Sequence, residues 1–398
     1  MISKQFIIGI LALFLGSCSS SVKEKPMEDV IRDAFDVSIR QYTQMAEKLS
    51  AQDSLLPKSF EHGQFVTSDS RWWCSGFFPG CLWYLYEYGK DDKMLAFARQ
   101  YTDRVEREKY TIDNHDIGFI LYCSFGNGWR LTGDPHYKDV LHTGAQSLAT
   151  RFKPEIGLIR SWDFNEEVWQ YPVIIDNMMN LEMLLWVAKN FDEPLYKKIS
   201  VSHADLTMKN HYREDYSSYH VVSYDTLTGM PHVKQTHQGF AHESVWSRGQ
   251  AWGLYGYTFM YRETGDVKYL EQAQRIASLM LDHPKMPADF IPYWDMDVPD
   301  IPNALRDASA ASIMASALIE LSDYVAEDKA ERYMKVAEIQ LRTLASPEYT
   351  AEVGENGNFI LKHSVGSIPG NTEVDAPLTY ADYYYLEALI RYQKKMKK

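Results

Sequence analysis

Apolar residues recur with helical periodicity along most of the chain, in two alternating kinds of segment. One kind is rich in Leu, Ala, Gly and aromatic residues on all sides, whereas the next is more charged and amphipathic, as buried and surface helices respectively are. Short turns at 88–91, 131–134 and 263–266 separate them, each with Gly closely followed by Asp. Because Gly favours a helix end and Asp an N-cap, the pattern predicts repeated helical hairpins.

The pattern yields six apolar and six charged helices. Apolar helices are predicted at 75–89, 115–131, 174–190, 246–263, 306–324 and 379–394. Charged helices are predicted at 28–49, 92–106, 136–151, 195–210, 267–282 and 328–346. The two sets pair completely if the first helix packs on the last, so we predict an all-α fold, an (α/α)6 barrel with the apolar helices inside. An open α-solenoid is the alternative, and the irregular spacing of the turns argues against it.

Three long inserts rich in aromatic residues interrupt the repeat, at 152–173, 211–245 and 284–305. Each precedes an apolar helix, so we expect them to gather at the end of the barrel where the inner helices begin. Loops held by a rigid scaffold are the usual place for binding and catalysis. No linker or low-complexity run follows Pro26, which indicates a single domain over 27–398.

Residues 1–17 have the features of a bacterial lipoprotein signal peptide. Lys4 gives the positive charge, and 6–15 is an apolar run too short to span a bilayer comfortably. Small residues follow and lead directly to Cys18. We therefore predict cleavage before Cys18, lipidation of Cys18 and a short tether at 18–26, with plain secretion as the alternative. The expected location is the bacterial cell envelope, lipid-anchored and facing the periplasm.

Composition narrows the function classes. With 41 Lys and Arg against 54 Asp and Glu the net charge is −13, which argues against a nucleic-acid partner. Aromatic residues make up 14% of the chain, more ring area than a core of this size needs. The four cysteines, Cys18, Cys74, Cys81 and Cys123, are too few and scattered for a disulfide scaffold or zinc site. We expect free, buried thiols in the three that follow the signal peptide, with a Cys74–Cys81 disulfide as the alternative. No HExxH, P-loop, dinucleotide or Gly-x-Ser-x-Gly motif occurs, so we expect no metal and no cofactor.

Two aspartates stand at equivalent places, at the starts of consecutive apolar helices. Asp116 precedes a Gly and an aromatic residue, and Asp176 follows three β-branched residues and precedes two Met. So apolar a setting desolvates a carboxyl group and raises its pKa, which suits a proton donor near neutral pH. A role in helix capping is the alternative for both. The chain offers other carboxylates between which composition does not choose: Asp163, Asp295, Asp297, Asp307 and Asp382.

The remaining candidates are polar or aromatic groups suited to a ligand. His220 and His237 lie in polar inserts, where we favour hydrogen bonds to a ligand over a structural role. Arg248 and Trp252 are i, i+4 on one helix, where the guanidinium could bind a carboxylate and the indole stack on a sugar. A cation–π pair within the core is the alternative. Two further tryptophans could be platforms or core residues: Trp73 and Trp162.

At these positions the sequence resembles the unsaturated glucuronyl hydrolases, glycoside hydrolase family 88. The matching stretches follow in order over nearly the whole chain after the signal peptide: 115–119, 174–176, 217–220, 236–239, 248–253, 306–310 and 382–389. The resemblance implies an (α/α)6 barrel and a hydrolase that acts on oligosaccharides released by polysaccharide lyases. Such substrates carry a 4,5-unsaturated uronic acid at the non-reducing end.

The resemblance also implies the chemistry. The family hydrates the C4=C5 vinyl ether, and the resulting hemiketal opens the ring and releases the remaining sugar. Carried over, Asp176 protonates C4 and activates the water that attacks C5, while Asp116 is its partner and tunes its protonation. The matching ligand-contacting positions are Trp73, Trp162, His220, His237, Gln238, Arg248 and Trp252.

One departure concerns sulfated substrates. Some relatives carry a Ser-x-x-Ser-x-Lys run in a C-terminal loop, and here Ser364 and Ser367 are kept while Pro369 replaces the Lys. The sequence therefore predicts hydrolysis of unsaturated glucuronyl disaccharides from glycosaminoglycans, with sulfate preference open. The alternatives are an unsaturated galacturonyl (rhamnogalacturonyl) hydrolase for pectin-lyase products, and a non-catalytic glycan-binding lipoprotein.

Overall fold

The computed structural model describes residues 24–52 and 54–397. Its helices in chain order are α1 (Met27–Leu49), α2 (Phe77–Gly89), α3 (Asp92–Asp103), α4 (Ile117–Leu121), α5 (Asn127–Thr132), α6 (Pro135–Ala149), α7 (Asn177–Asn190), α8 (Pro194–His211), α9 (Ser247–Thr264), α10 (Val267–Leu281), α11 (Ala308–Leu321), α12 (Glu327–Leu344) and α13 (Thr379–Met396). The predicted signal peptide, Cys18 and most of the tether lie outside the described residues.

The inner wall of the barrel consists of α2, α4 with α5, α7, α9, α11 and α13. Each of these contacts the next, and α13 contacts α2, which closes the ring. Outside them pack α3 on α2, α6 on α4, α8 on α7, α10 on α9 and α12 on α11, while α1 covers α2 and α13. The predicted (α/α)6 barrel is confirmed, including the pairing of the first helix with the last.

The inner helix predicted at 115–131 is not continuous. A π-helical segment, Tyr122–Gly126, separates α4 from α5. Polar side chains satisfy the carbonyl groups around the widened turn: Asn127 Nδ2 donates to Cys123 O at 2.9 Å, and Ser124 Oγ donates to Ile120 O at 2.6 Å. Such a side-chain replacement of helical bonds is not visible in apolar periodicity, which the segment maintains.

Small antiparallel sheets, absent from the all-α prediction, are built from the connecting segments. The strands are β1 (Leu56–Glu61), β2 (Gln64–Ser68), β3 (Phe152–Lys153), β4 (Leu158–Ile159), β5 (Pro172–Ile174), β6 (Val221–Tyr224), β7 (Pro231–Gln235), β8 (Ser364–Ser367) and β9 (Thr372–Ala376). β5, β6 and β7 form one sheet, so the first two predicted inserts pair with each other. The third is joined to the start of α9 by a bridge between Asp295 and Trp246. The inserts therefore meet where inner helices begin, as predicted.

A cavity of about 440 Å³ lies towards the opposite end of the barrel, where the inner helices end. Its charged walls are ion-paired: Arg262 contacts Glu182 and Glu320, and Arg391 contacts Glu320 and Glu387. None of the residues that line it has a buried side-chain polar atom without a partner within the described part of the chain. This end of the barrel is therefore closed by a satisfied charge network.

Cys74, Cys81 and Cys123 are free and buried, as predicted. Burial raises the pKa of the Cys81 and Cys123 thiols well above the usual value, so both stay protonated and unreactive. Among residues 24–52 and 54–397, no helix combines the length and the apolar character needed to cross a membrane.

Asp382, one of the competing carboxylates, ties three parts of the barrel together. It accepts hydrogen bonds from Tyr42 Oη at 2.9 Å, Ile360 N at 2.9 Å and Leu361 N at 2.8 Å. Asp382→Ala leaves these buried donors unpaired and should lower the free energy of unfolding by about 3 kcal/mol or more. Urea denaturation measures the effect.

The matched control is Asp282→Ala, which removes an exposed ion pair with Arg332. It should cost less than about 1 kcal/mol because solvent screens that pair. Equal losses in the two variants would contradict the structural role of Asp382.

Candidate active site

Two carboxylates stand at the N-termini of adjacent inner helices. Asp116 is the N-cap of α4 and Asp176 the N-cap of α7, and α4 packs on α7. A hydrogen bond fixes the backbone where each helix begins. Asn114 Oδ1 accepts from Asp116 N at 2.9 Å, and Ile175 N, just before Asp176, donates to His220 O at 3.1 Å. The side chains are 18% and 10% exposed, so both border the same partly open site.

Neither carboxylate caps its own helix. Asp116 and Asp176 accept no hydrogen bond from the first-turn amides of α4 and α7. The other aspartates at N-cap positions of described helices all do: Asp91, Asp134, Asp266 and Asp307. Capping by the side chain is the normal use of an N-cap aspartate. The structure therefore argues against the capping role that was the alternative for this pair.

Desolvation controls the protonation of both groups. Burial raises the pKa of Asp116 to about 7, with Arg151 opposing the shift. Burial also raises the pKa of Asp176 to about 7; Arg248 opposes this, and the Asp116 carboxylate adds to it. Asp176 Oδ2 accepts no hydrogen bond from any described residue. A carboxyl that holds its proton near neutral pH and keeps a free oxygen is suited to general acid–base chemistry.

Two histidines face the carboxylates as neutral rings. His220 Nδ1 accepts from the backbone N–H groups of His237 and Gln238 at 3.1 and 3.2 Å, so the proton sits on Nε2, 3.7 Å from Asp176 Oδ2. His115 Nε2 lies 3.4 Å from Asp116 Oδ1. Burial lowers the pKa of His220 well below the usual value and that of His115 to about 3. Both act as neutral hydrogen-bonding groups at neutral pH.

Arg248 stacks on aromatic rings other than Trp252. Its guanidinium lies over the rings of Trp246, 4.7 Å away, and Tyr380, 5.4 Å away, so the alternative to ligand binding, a cation–π pair with Trp252, is not among these contacts. It donates to Asp307 Oδ2 at 3.3 Å and to backbone carbonyls of β8. The side chain faces the site instead of solvent because these acceptors hold it. Its Nε has no partner among the described residues, and its charge acts on Asp176.

The three tryptophans predicted to contact a ligand have different surroundings in the structure. Trp162 stacks on Phe164 at 4.9 Å and contacts His237 at 5.8 Å, with a buried indole N–H that bonds to nothing described. Trp73 packs on Phe119 at 5.6 Å and is partly buried. Trp252 is fully buried, so its ring belongs to the core, and its indole N–H has no hydrogen-bond partner among the described residues. Trp162 and Trp73 are only partly buried, so their rings remain accessible.

The hairpin β8–β9 closes one side of the site. Gly366 O accepts from Arg248 Nη2 at 2.7 Å and from Gln238 Nε2 at 3.3 Å, which locks the hairpin to β7 and α9. Ser364 is fully buried with its Oγ unpartnered among the described residues, while Ser367 Oγ accepts from Gly370 N at 3.1 Å. Because an oxygen that accepts a hydrogen bond can still donate its own O–H, both hydroxyls keep a donor.

Sequence reasoning missed Tyr380. Its ring contacts Trp73 at 4.8 Å and lies beside Arg248, and its buried hydroxyl has no partner within the described chain. Tyr380 is the second residue of α13, so it occupies the same end of the barrel as Asp116 and Asp176. Tyr380 shares with those two residues a position at the start of an inner helix, and this is the sequence signal that could have identified it.

The competing carboxylates have other uses. Asp163 pairs with both terminal nitrogens of Arg151, at 3.0 and 2.9 Å. Asp295 accepts from Phe240 N and Ser244 Oγ, Asp297 accepts from Val245 N, Asp307 caps α11, and Asp382 holds α13 as described above. In residues 24–52 and 54–397, no group of three or more His, Cys, Asp or Glu is arranged to hold a metal ion.

Comparison with known proteins agrees with this site. The profile of Glycosyl Hydrolase Family 88 matches residues 46–396. The chain belongs to glycoside hydrolase family 88. It is therefore a glycosidase, and the resemblance inferred from its motifs is confirmed.

Its relatives cover most of its length. The chain is 47% identical to the unsaturated glucuronyl hydrolase of Formosa agariphila over 325 residues, 81% of this chain and 80% of that protein. It is 49% identical, with a TM-score of 0.90, to the crystal structure of an unsaturated glucuronyl hydrolase specific for heparin, over 93% and 99% of the two chains. A Streptococcus agalactiae unsaturated glucuronyl hydrolase mutant complexed with dGlcA-GalNAc6S matches at 27% identity, with a TM-score of 0.78 and 92% coverage of both chains.

The raised pKa values predict that the pair of carboxyl groups, Asp116 and Asp176, lowers stability. A carboxyl with a folded-state pKa of about 7 and an unfolded value near 4 favours the folded state in acid, and this contribution is lost as pH rises through 7. Asp176→Asn, always neutral, should therefore gain about 1–4 kcal/mol over wild type as pH rises from 4 to 8. Urea unfolding at several pH values measures the gain.

Asp163→Asn is the control of opposite sign. Burial raises the pKa of Asp163, but the hydrogen bond from Arg151 outweighs burial and holds this pKa below its usual value. Its stabilising effect is present at neutral pH and lost in acid, so this variant should be weakened most at neutral pH. An Asp176→Asn effect that does not vary with pH would contradict a buried, ionisable Asp176.

Proposed function

We propose that this glycosidase removes the 4,5-unsaturated glucuronic acid from the non-reducing end of lyase-generated glycosaminoglycan oligosaccharides. The observation that carries the proposal is a pair of buried carboxylates, Asp116 and Asp176, at the barrel end formed by the inserts. Neither of them caps the helix that it begins. Its named relatives, an unsaturated glucuronyl hydrolase and one specific for heparin, support the same substrate class.

The proposed reaction is hydration of the C4=C5 vinyl ether. Asp176 in its protonated form gives its proton to C4, and positive charge develops at C5 and the ring oxygen. The resulting carboxylate accepts a proton from the water that attacks C5, which restores the acid. The C5 hemiketal then opens, and the C1 hemiacetal that forms releases the remaining sugar. Burial keeps the pKa of Asp176 raised and Asp116 adds to it, while His220 Nε2–H lies 3.7 Å from Asp176 Oδ2.

An anionic substrate requires local positive charge in a chain of net charge −13. Arg248 provides it at the site, and its free Nε is the donor available to a substrate carboxylate. The buried hydroxyls of Ser364 and Tyr380 are unpartnered in the described chain and add neutral donors on the same side. Trp73 and Trp162 flank the site as the surfaces for sugar rings.

We expect no strong dependence on a sulfate group. The hairpin that would contact sulfate carries Pro369 where some relatives carry Lys, so the cation of that run is missing. Glu373, on β9, is buried against Gly366 and paired with Lys58 at 3.5 Å, which puts a carboxylate beside this hairpin. Unsulfated disaccharides should therefore be turned over at least as well as sulfated ones.

The test is loss of the ultraviolet absorbance of the vinyl ether. Wild type should consume unsaturated disaccharides from chondroitin, hyaluronan or heparin, and Asp176→Asn should lower kcat/KM by about 10²–10⁴-fold. The exposed control Asp282→Asn should retain full activity. Turnover of pectin-lyase products alone would identify a galacturonyl hydrolase, binding without turnover a glycan-binding protein, and full activity of Asp176→Asn would overturn the mechanism.

We further propose that the protein is exported and lipid-anchored through Cys18 to the bacterial cell envelope, facing the periplasm. Support comes from the apolar run at 6–15 and the small residues that lead to Cys18. In cells grown with labelled palmitate, wild type should carry label and fractionate with membranes. Cys18→Ser should lose both properties, and an unlabelled soluble wild type cleaved nearby would indicate plain secretion.

A further inference from the structure

We propose that Asn180 is a positioning residue that caps α4 from the neighbouring helix and so keeps the Asp116 carboxylate directed into the site. The inference rests on the proposed function, because it assigns Asp116 a role in that reaction. Asn180 lies on α7, one turn after Asp176, so the same helix carries the acid and the residue that orients its partner.

The capping bond joins two inner helices. Asn180 Oδ1 accepts from Phe119 N at 2.8 Å. Asp116 is the N-cap of α4, so Phe119 is the third residue of the helix, and its amide is one that an N-cap side chain normally accepts. Asn180 therefore takes one of the two first-turn amides open to an N-cap carboxylate: Asp91 accepts the third amide of its helix, whereas Asp134, Asp266 and Asp307 accept the second.

The contact between Asn180 and α4 is close, and it leaves a buried polar atom of Asn180 without a partner among the described residues. A Cβ on Gly118 would lie 2.5 Å from Asn180 Cα and 2.6 Å from its Oδ1, so only glycine permits this approach of α4 to α7. Asn180 is fully buried, and its Nδ2 has no partner among the described residues. A buried amide that uses only its acceptor is unfavourable for stability alone, which favours a role in the geometry of the site.

Without this acceptor, Asp116 has a competing position. The four other N-cap aspartates accept a first-turn amide of their own helix, and all four have extended backbones. Asp116 has φ −75° and ψ 7°, so it would reach an unpaired Phe119 amide only by changing to that backbone conformation. A carboxylate that accepts a backbone N–H has a lowered pKa, and in this position it would also lie farther from Asp176. Loss of Asn180 should thus withdraw the negative charge that helps to raise the pKa of Asp176.

The groups around the pair set the sign of the pH effect. Arg151 faces Asp116 from the segment after α6, and neutral His115 lies beside it on its own segment. Arg248 from α9 and neutral His220 from the segment before β6 face Asp176. With Asp116 withdrawn, the opposing Arg248 is less balanced and the pKa of Asp176 falls. The proton donor is then lost at lower pH, so the basic limb of the rate profile moves to lower pH.

The experiment compares kcat, KM and the pH profile of wild type with those of Asn180→Leu, which has similar size and no acceptor. We expect kcat to fall about 10- to 100-fold while KM changes less than about threefold, with the basic limb shifted to lower pH. Asn180→Asp keeps an oxygen acceptor in place and should recover most of kcat. Gly118→Ala, which forces the helices apart, should act like Asn180→Leu.

Asn127→Leu is the matched control. Asn127 is another buried inner-helix asparagine, whose Nδ2 donates to Cys123 O and Tyr383 Oη at 2.9 and 3.1 Å on the far-end side of the barrel. Its loss should lower the melting temperature without moving the pH profile. This separates a general loss of stability from an effect on the carboxylates.

The outcomes separate the two proposals. If wild type does not consume unsaturated glucuronyl disaccharides, the proposed function fails. If wild type is active and Asn180→Leu keeps its pH profile, with kcat reduced only by the unfolded fraction, the positioning role is wrong. A folded Asn180→Leu with reduced kcat, a shifted basic limb and recovery in Asn180→Asp supports it.

Discussion

Two carboxylates held in a desolvated place without the hydrogen bonds that normally satisfy them are the constraint on which this site depends. Burial keeps the pKa of both Asp116 and Asp176 near neutrality, and their proximity reinforces this for Asp176. Such an arrangement is unfavourable for folding and would relax in a flexible loop. It persists because both residues begin inner helices of a closed ring, which fixes their backbones.

The remaining parts of the site follow from that constraint. A buried pair of acids cannot by itself attract an anionic sugar, so a cation must lie nearby without neutralising the acid. Arg248 meets this need because Asp307 and the carbonyls of β8 accept three of its five N–H groups, while Nε–H is without a partner among the described residues. Its charge reaches Asp176 through space and weakens, but does not reverse, the effect of burial.

The barrel and the acid pair could be predicted from the sequence, since apolar periodicity, Gly–Asp turns and position at a helix start are local signals. The surroundings of Arg248 could not be predicted, because i, i+4 spacing to Trp252 says nothing about acceptors on a distant hairpin, which hold the guanidinium. Tyr380 and Asn180 were missed for the same reason. Their importance depends on contacts across the ring, to Trp73 and Phe119, that no local pattern contains.

The two ends of the barrel differ in whether their polar side chains have hydrogen-bond or ion-pair partners. At the far end, the charged residues around the cavity are paired with one another, and that network closes the structure. At the insert end, buried polar atoms are without partners among the described residues: Asp176 Oδ2, His220 Nε2, Trp162 Nε1, Arg248 Nε, Ser364 Oγ and Tyr380 Oη. Unpaired buried groups cost stability unless something binds them. Other such atoms lie elsewhere in the described barrel, as at His211 and Tyr385, but these six lie around one acid pair, where an acidic sugar with several hydroxyl groups would supply both the acceptors and the donors that they lack.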